Sequence, residues 1–173
     1  MEDKVLIGIG SNIGNGVKNC MTAIKKISSD TRIDIQSISS FYSTSPVSDI
    51  KQDDFINCAI RVSWDGTPNE LLGLLSGIEN EMGRTRGTRN GPRIIDLDIL
   101  LFGPVILDGP TLTIPHKELH KRKFAIIPCV EIDSNCIVPT FKKPLKDFLT
   151  EIGEDQIVKK LDGVAFSDEP EEE

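Results

Sequence analysis

No apolar run in these 173 residues approaches the ~20 needed to cross a bilayer, so neither a membrane span nor a membrane partner is expected. A secretory leader is not expected either. Met1-Glu-Asp-Lys4 carries two acids and leads into a strand-like run of a few residues, and the expected compartment is the cytoplasm. Cysteine is sparse. Cys20, Cys58, Cys129 and Cys136 form no Cys-x-x-Cys pair and sit among apolar neighbours, which points to buried free thiols and away from a zinc knuckle or disulfide framework. Positive charge is also short, with 20 Lys and Arg against 27 Asp and Glu. Five of those acids lie in the last six residues, which leaves 22 acids against 20 bases in the rest. A basic coat is absent, and nucleic acid is not an expected partner. What remains is an ordinary globular composition, 38% apolar and 27% charged. The length suits one domain, assigned here to 1–161, followed by an acidic tail, 162–173, expected to be disordered. A monomer is the expected state, with a dimer as the alternative.

The chain shows no internal repeat, and its hydrophobic pattern orders the elements. Lys4–Ile9 reads as a buried strand, and Gly8-Ile-Gly-Ser-Asn-Ile-Gly14 as leading into a tightly packed turn. Val17, Cys20, Met21, Ile24 and Ile27 fall at helical spacing up to about Ser29. Ile33 to Ser43 reads as one weak strand. Phe55 to Val62 is a clearer one, with Ile56, Cys58, Ile60 and Val62 on one face and Phe55, Asn57, Ala59 and Arg61 on the other. Thr67-Pro68-Asn69-Glu70 has the form of a capping box, and Leu71, Leu74, Leu75, Ile78 and Met82 make the stripe of a helix that Gly83 ends. Ile94 to Phe102 is the next strand, Ile106 to Ile114 is extended around Asp108-Gly109-Pro110, and His116 to Ile132 is a helical stretch that Pro128 should interrupt. The order β-α-β-β-α-β predicts an α+β sandwich of ferredoxin-like type, mainly antiparallel, with both helices on one sheet face and the site on the other.

Four features carry chemistry. Asp96 and Asp98 lie two apart on a strand, so both carboxylates face one way, with Leu97, Ile99 and Leu101 expected in the core and Leu100 and Phe102 on the acidic face. Paired carboxylates repel unless a cation separates them, and hard oxygen ligands favour Mg²⁺. Just upstream, Arg84, Arg86, Arg89 and Arg93 stand in a glycine-bearing loop without a single acid, a composition suited to gripping phosphate. His116 and His120 have the spacing of helical zinc ligands but lack the accompanying glutamate and a third ligand. His116, with Arg122, is read as a phosphate contact and His120 as an exposed helix residue. Phe55 beside Asn57 can stack on a planar ring and pair with its edge, and Phe124 can supply an opposing wall. The glycines from Gly8 to Gly14 fit neither a P-loop nor a dinucleotide fingerprint.

These stretches together resemble the 6-hydroxymethyl-7,8-dihydropterin pyrophosphokinase family. The matching segments are Gly10–Gly14, Phe41–Pro46, Gln52–Asn57, Glu79 with Gly83–Arg86, Gly91-Pro-Arg-Ile-Ile-Asp-Leu-Asp-Ile99, and Ile114-Pro-His116 through Arg122 and Phe124. The resemblance implies transfer of pyrophosphate from ATP to the pterin hydroxymethyl, with AMP leaving. It further implies two Mg²⁺ ions on Asp96 and Asp98, catalytic assistance from Arg84 and Arg93, and ATP contacts from Glu79, Arg86, Ile99, Thr113, His116 and Arg122. The pterin would lie between Phe55 and Phe124, its edge read by Asn57 and by backbone near Thr44 and Val47. Departures from the family pattern stand at Asn90, where members often carry Trp, in a loop one residue short, and at Thr111, Lys117 and Phe55. A non-catalytic nucleotide- or pterin-binding module of the same fold is the rival reading.

Overall fold

A computed structural model describes residues 3–45, 54–83 and 94–167. The chain opens with β1 (Asp3–Ser11), α1 (Gly16–Ser28), β2 (Ile33–Ile38), β3 (Tyr42–Thr44) and β4 (Phe55–Trp64). α2 (Pro68–Glu81), β5 (Asp96–Phe102), β6 (Leu107–Asp108) and β7 (Thr113–Ile114) follow. The last part holds α3 (Lys123–Ile132), β8 (Ile137–Val138), β9 (Lys143–Pro144) and β10 (Val158–Lys160). The main sheet runs β10-β3-β4-β1-β5, with β2 also on β4, and every pairing is antiparallel. Placing β4 between β1 and β2 splits the first β-α-β unit. This is the ferredoxin-like topology expected from the element order.

Local sequence explains the helices. The Asn15 side chain accepts the Lys18 amide at 3.1 Å and starts α1. At α2, the Thr67 hydroxyl accepts the Glu70 amide while the Glu70 carboxylate accepts the Thr67 amide, so the expected capping box forms. Gly83 then follows at φ 85°, a conformation that suits glycine. The stripes of α1 and α2 bury Cys20, Ile24, Ile27, Leu71, Leu75 and Ile78 against Val5, Ile7, Ile9, Ile60 and Val62 of the sheet. Each fully buried side chain of this size contributes about 1.5–3 kcal/mol. All four cysteines are free, three of them buried.

Several sequence expectations change. Ile33–Ser43 is two strands, because the Ser39 hydroxyl accepts the Ala59 amide at 2.8 Å where a continuous ladder would run, and Phe41 turns into the core. The glycine stretch is strand as far as Ser11, not a turn from Gly10. Pro128 lies inside α3 and does not break it, whereas residues 119–121 form a separate 3-10 turn. His120 is half-buried, its ring 5.0 Å from Phe141 and 5.7 Å from Phe148.

The largest change is on β5. Its register with β1 slips between Leu6 and Ile7, so Leu6 faces Leu101 while Ile7 faces Ile99, and Leu100 is the extra residue. Alternation therefore inverts beyond it. Phe102, not Leu101, joins Leu97 and Ile99 in the helix-side core, and Leu100 and Leu101 face the other side.

That other side is only half open. Leu6, Ala59, Leu100 and Leu101 are covered by Leu119, Ile126, Cys129, Val138, Leu145 and Phe148 from the C-terminal third, so the sheet has two cores and not one. Leu161, Val164 and Phe166 return to pack on the first core, and the remainder of the expected tail, 168–173, lies outside the described residues.

Candidate active site

Where the C-terminal cover stops, the exposed half of the sheet forms the floor of a cavity of about 580 Å³. Its floor is a row across three strands. Gly10 of β1 pairs with Asn57 of β4 on one side and with Asp96 of β5 on the other. Adjacent strands lie about 4.8 Å apart, so the amide and the first carboxylate stand roughly 10 Å apart on one surface. Gly8 similarly lies beside Asp98.

Glycine is needed at both positions. A Cβ at Gly10 would stand 2.9 Å from Asn57 Oδ1, and one at Gly8 would stand 3.0 Å from Leu100 Cδ1. Two glycines two residues apart on a strand clear one face, a signal that was in the sequence but was read as a turn. Asn57 is buried, and its Nδ2 donates to Thr44 Oγ1 at 2.7 Å, which fixes the orientation of its amide. Phe55, one strand step along, also lines the cavity.

The far wall comes from 116–125. His116, Glu118, Leu119, Lys121, Arg122, Phe124 and Ala125 all line it. The His116 backbone N–H donates to Leu100 O at 3.0 Å, which ties the wall to β5. His116 Nδ1 accepts the Glu118 N–H at 3.1 Å, so in the neutral ring the proton sits on Nε2. Burial, aided by Arg122 and Lys117, holds the imidazole below its usual pKa against the opposing pull of Asp98 and Glu118. A ring that takes up its proton more readily unfolded than folded loses its stabilising contribution as pH falls below about 6.5. His116→Asn is accordingly expected to flatten the acid limb of a plot of Tm against pH; an unchanged limb would contradict this. The Arg122 guanidinium lies over the Phe124 ring at 5.7 Å, a cation–π contact that ties the orientation of the two side chains together.

Thr44, Phe55, Asn57, Asp96, Asp98, His116, Arg122 and Phe124 therefore meet in one cavity, as their sequence reading requires. Three candidates do not reach its wall. Ile99 points into the helix-side core, 4% exposed, and Thr113 stands on β7 beside the site. Glu79 is buried on α2, where its Oε2 accepts the Leu97 amide at 3.0 Å. It thus grips the peptide between the two aspartates from behind. Arg84, Arg86, Arg89, Arg93 and Val47 lie outside the described residues. Sequence reasoning missed Ser45, Lys121 and Gln156 in the lining. Gln156 had no signal at all, since it arrives from a segment with no motif.

Among the described residues no three His, Cys, Asp or Glu side chains group as a ready-made metal cage. Two carboxylates at a cavity wall instead suit a hard cation that completes its shell with water and phosphate oxygens, which fits magnesium.

The family model for 7,8-dihydro-6-hydroxymethylpterin-pyrophosphokinase (HPPK) matches residues 6–134. The chain belongs to this family. It is thereby an ATP-dependent pyrophosphokinase of folate biosynthesis, as the site's pairing of acidic and ring-reading groups suggests. The 2-amino-4-hydroxy-6-hydroxymethyldihydropteridine pyrophosphokinase of Haemophilus influenzae is 40% identical over 133 residues, 77% of this chain and 83% of that protein. The enzyme of the same name from Aquifex aeolicus is 35% identical over 147 residues, 85% and 91% of the two chains. Folic acid synthesis protein FOL1 of Dictyostelium discoideum is 40% identical over 136 residues, but this HPPK chain spans only 20% of it. Among solved structures, Plasmodium falciparum HPPK-DHPS wild type superposes with a TM-score of 0.66 at 13% identity over 87% of this chain and 41% of that one. That likeness supports the fold. No helix among the described residues is long and apolar enough to cross a membrane.

Proposed function

We propose that this HPPK binds the triphosphate of ATP along Asp96, Asp98, His116 and Arg122, and holds 6-hydroxymethyl-7,8-dihydropterin between Phe55 and Phe124 with its edge on Asn57. The observation that carries this reading is the Asn57–Gly10–Asp96 row. It presents a ring-reading amide and a cation-binding carboxylate on one floor, separated by about the length of a small bicyclic ring and its side arm.

The chemistry follows from the charges. The hydroxymethyl oxygen attacks the β-phosphorus, the bond from that phosphorus to the oxygen bridging it to the α-phosphorus breaks, AMP departs, and the alcohol proton passes to solvent. The two Mg²⁺ ions proposed for Asp96 and Asp98 would neutralise phosphate oxygens and draw charge from the attacked centre. Arg122 and the neutral His116, donating from Nε2, orient the phosphate chain. Arg84, Arg86 and Arg93 are proposed to close over it, with Arg84 and Arg93 contacting the transferring group. Backbone near Thr44 and Val47 completes the ring contacts. Neither Glu79 nor Ile99 touches nucleotide through its side chain in this reading, and Thr113 remains at the margin. No strong base is required, because positioning and charge neutralisation carry most of such reactions.

A monomer is proposed as the working state, and the cytoplasm, where ATP and magnesium are abundant, is the proposed compartment. Incubation with magnesium, ATP and the hydroxymethyldihydropterin is expected to yield AMP and the pterin diphosphate in equal amounts. ADP as the nucleotide product, or tight binding of both substrates with no AMP, would contradict the assignment.

A further inference from the structure

The far wall of the cavity has a weak start. The N-cap of α3 is Arg122, whose side chain makes no capping hydrogen bond, and Arg is a poor residue for that task. Helix starts leave backbone N–H groups without helical partners. Here one of them is satisfied from 33 residues away. Gln156 Oε1 accepts the Lys123 N–H at 3.0 Å, while Gln156 Nε2 donates to the Lys121 carbonyl at 2.9 Å. A single amide thus brackets Arg122 on both sides. Gln156 also lines the cavity, half-buried, next to the residues it holds.

The same segment grips the opposite wall. Two residues beyond Gln156, β10 begins and pairs with β3, Val158 against Thr44 and Lys160 against Tyr42. Thr44 orients Asn57. Residues 156–160 therefore run as a strap across the end of the cavity, joined to the phosphate side through 121–123 and to the ring side through Thr44. They lie beyond residues 6–134, the stretch matched by the family model.

We propose that Gln156 is a positioning residue for the pyrophosphoryl transfer: it aims Arg122 into the cavity by clamping the peptides on either side of that residue. The inference rests on the reading of Arg122 as a phosphate contact. Gln156 is not a catalytic residue, because its oxygen and one of its amide hydrogens are already engaged by backbone. Its effect is indirect and passes through Arg122. Misplacing a substrate-orienting group by about 1 Å can cost on the order of 100-fold in rate.

The test is a double-mutant cycle on the full chain, with AMP formation as the readout. Gln156→Leu keeps the shape and removes both hydrogen bonds. It is expected to lower kcat/KM about tenfold in the wild-type background and less than about twofold in Arg122→Ala, since the residue it aims is then gone. Faster hydrogen exchange at the Lys123 amide in Gln156→Leu is the accompanying structural signature. Gln156→Asn, one carbon too short to span both partners, repeats the cycle should the leucine variant melt early. An undiminished rate in both Gln156 variants, or the same tenfold loss in both backgrounds, overturns the proposal while leaving the site reading intact. A wild-type protein that makes no AMP, or an Arg122→Ala variant as active as wild type, overturns the site reading and the proposal with it.

Discussion

Asp96→Ala or Asp98→Ala is expected to lower kcat by on the order of 100-fold or more, equivalent to about 3 kcal/mol of lost transition-state stabilisation. Both carboxylates line the cavity on the same face of β5, and beside Asp98 lies Gly8, which has no side chain to intrude. In the proposed reading, removing either would take away a ligand of the magnesium ions that would neutralise the phosphate oxygens. Ring recognition should survive, because Asn57, Thr44 and Phe55 are on other strands and none depends on these carboxylates. The measurement is steady-state AMP release at saturating magnesium, together with the KM for the pterin, which should change little. Turnover equal to wild type in either variant would remove the metal-binding role from this strand.

A second large effect is expected from a residue that never touches the cavity. Glu79→Ala should destabilise the protein by about 2–4 kcal/mol and lower kcat as well. Glu79 is buried on α2, and its carboxylate accepts the N–H of Leu97 from the outer edge of β5, which among the described residues pairs with β1 alone. Alanine would leave that edge amide buried without this acceptor, and an unsatisfied buried donor costs about 1–3 kcal/mol in addition to the packing lost. Leu97 lies between Asp96 and Asp98, so any relaxation of its peptide swings both carboxylates. Glu79→Gln retains an acceptor of the same shape and should recover most of the stability and rate. Denaturant unfolding paired with AMP release checks both halves. Full activity in a folded Glu79→Ala protein would show that the pair is held by β1 pairing alone.

The two predictions differ in how far their residues could be read from sequence. Asp96 and Asp98 announce themselves by spacing, since residues two apart on a strand share a face wherever that strand lies. Glu79 stands among the ATP-contact candidates in sequence, but nothing there tells on which side of the sheet its carboxylate lies. On a helix stripe beside Leu75 and Ile78, a carboxylate looks the same whether it meets ATP or a backbone amide. The slip at Leu100 was invisible for a related reason. Seven consecutive residues of β5 read as a regular strand, and only pairing with Leu6 and Ile7 reveals the inserted residue.

Gly8 and Gly10 fall between these cases. Their spacing of two was a sufficient clue to a cleared strand face, but the later glycines at 14 and 16 drew the reading toward a turn. Gln156 and β10 lay beyond any local pattern, because their value comes from contacts across 33 and more than 100 residues of chain.

By itself the sequence determined α1 and α2, through caps and stripes, and the order of the main elements. It also singled out candidates whose chemistry is intrinsic: the paired aspartates and the aromatic-amide face, which line one cavity, and the loop arginines, which lie outside the described residues. Those properties are local, written within a few residues of one another. Tertiary structure alone decided which faces met. It set Asn57 and Asp96 on either side of Gly10, sent Glu79 behind the strand, closed half the open face with the C-terminal third and strapped the two walls together through 156–160. Such facts depend on pairing between distant segments, and no short-range pattern encodes a distance between strands.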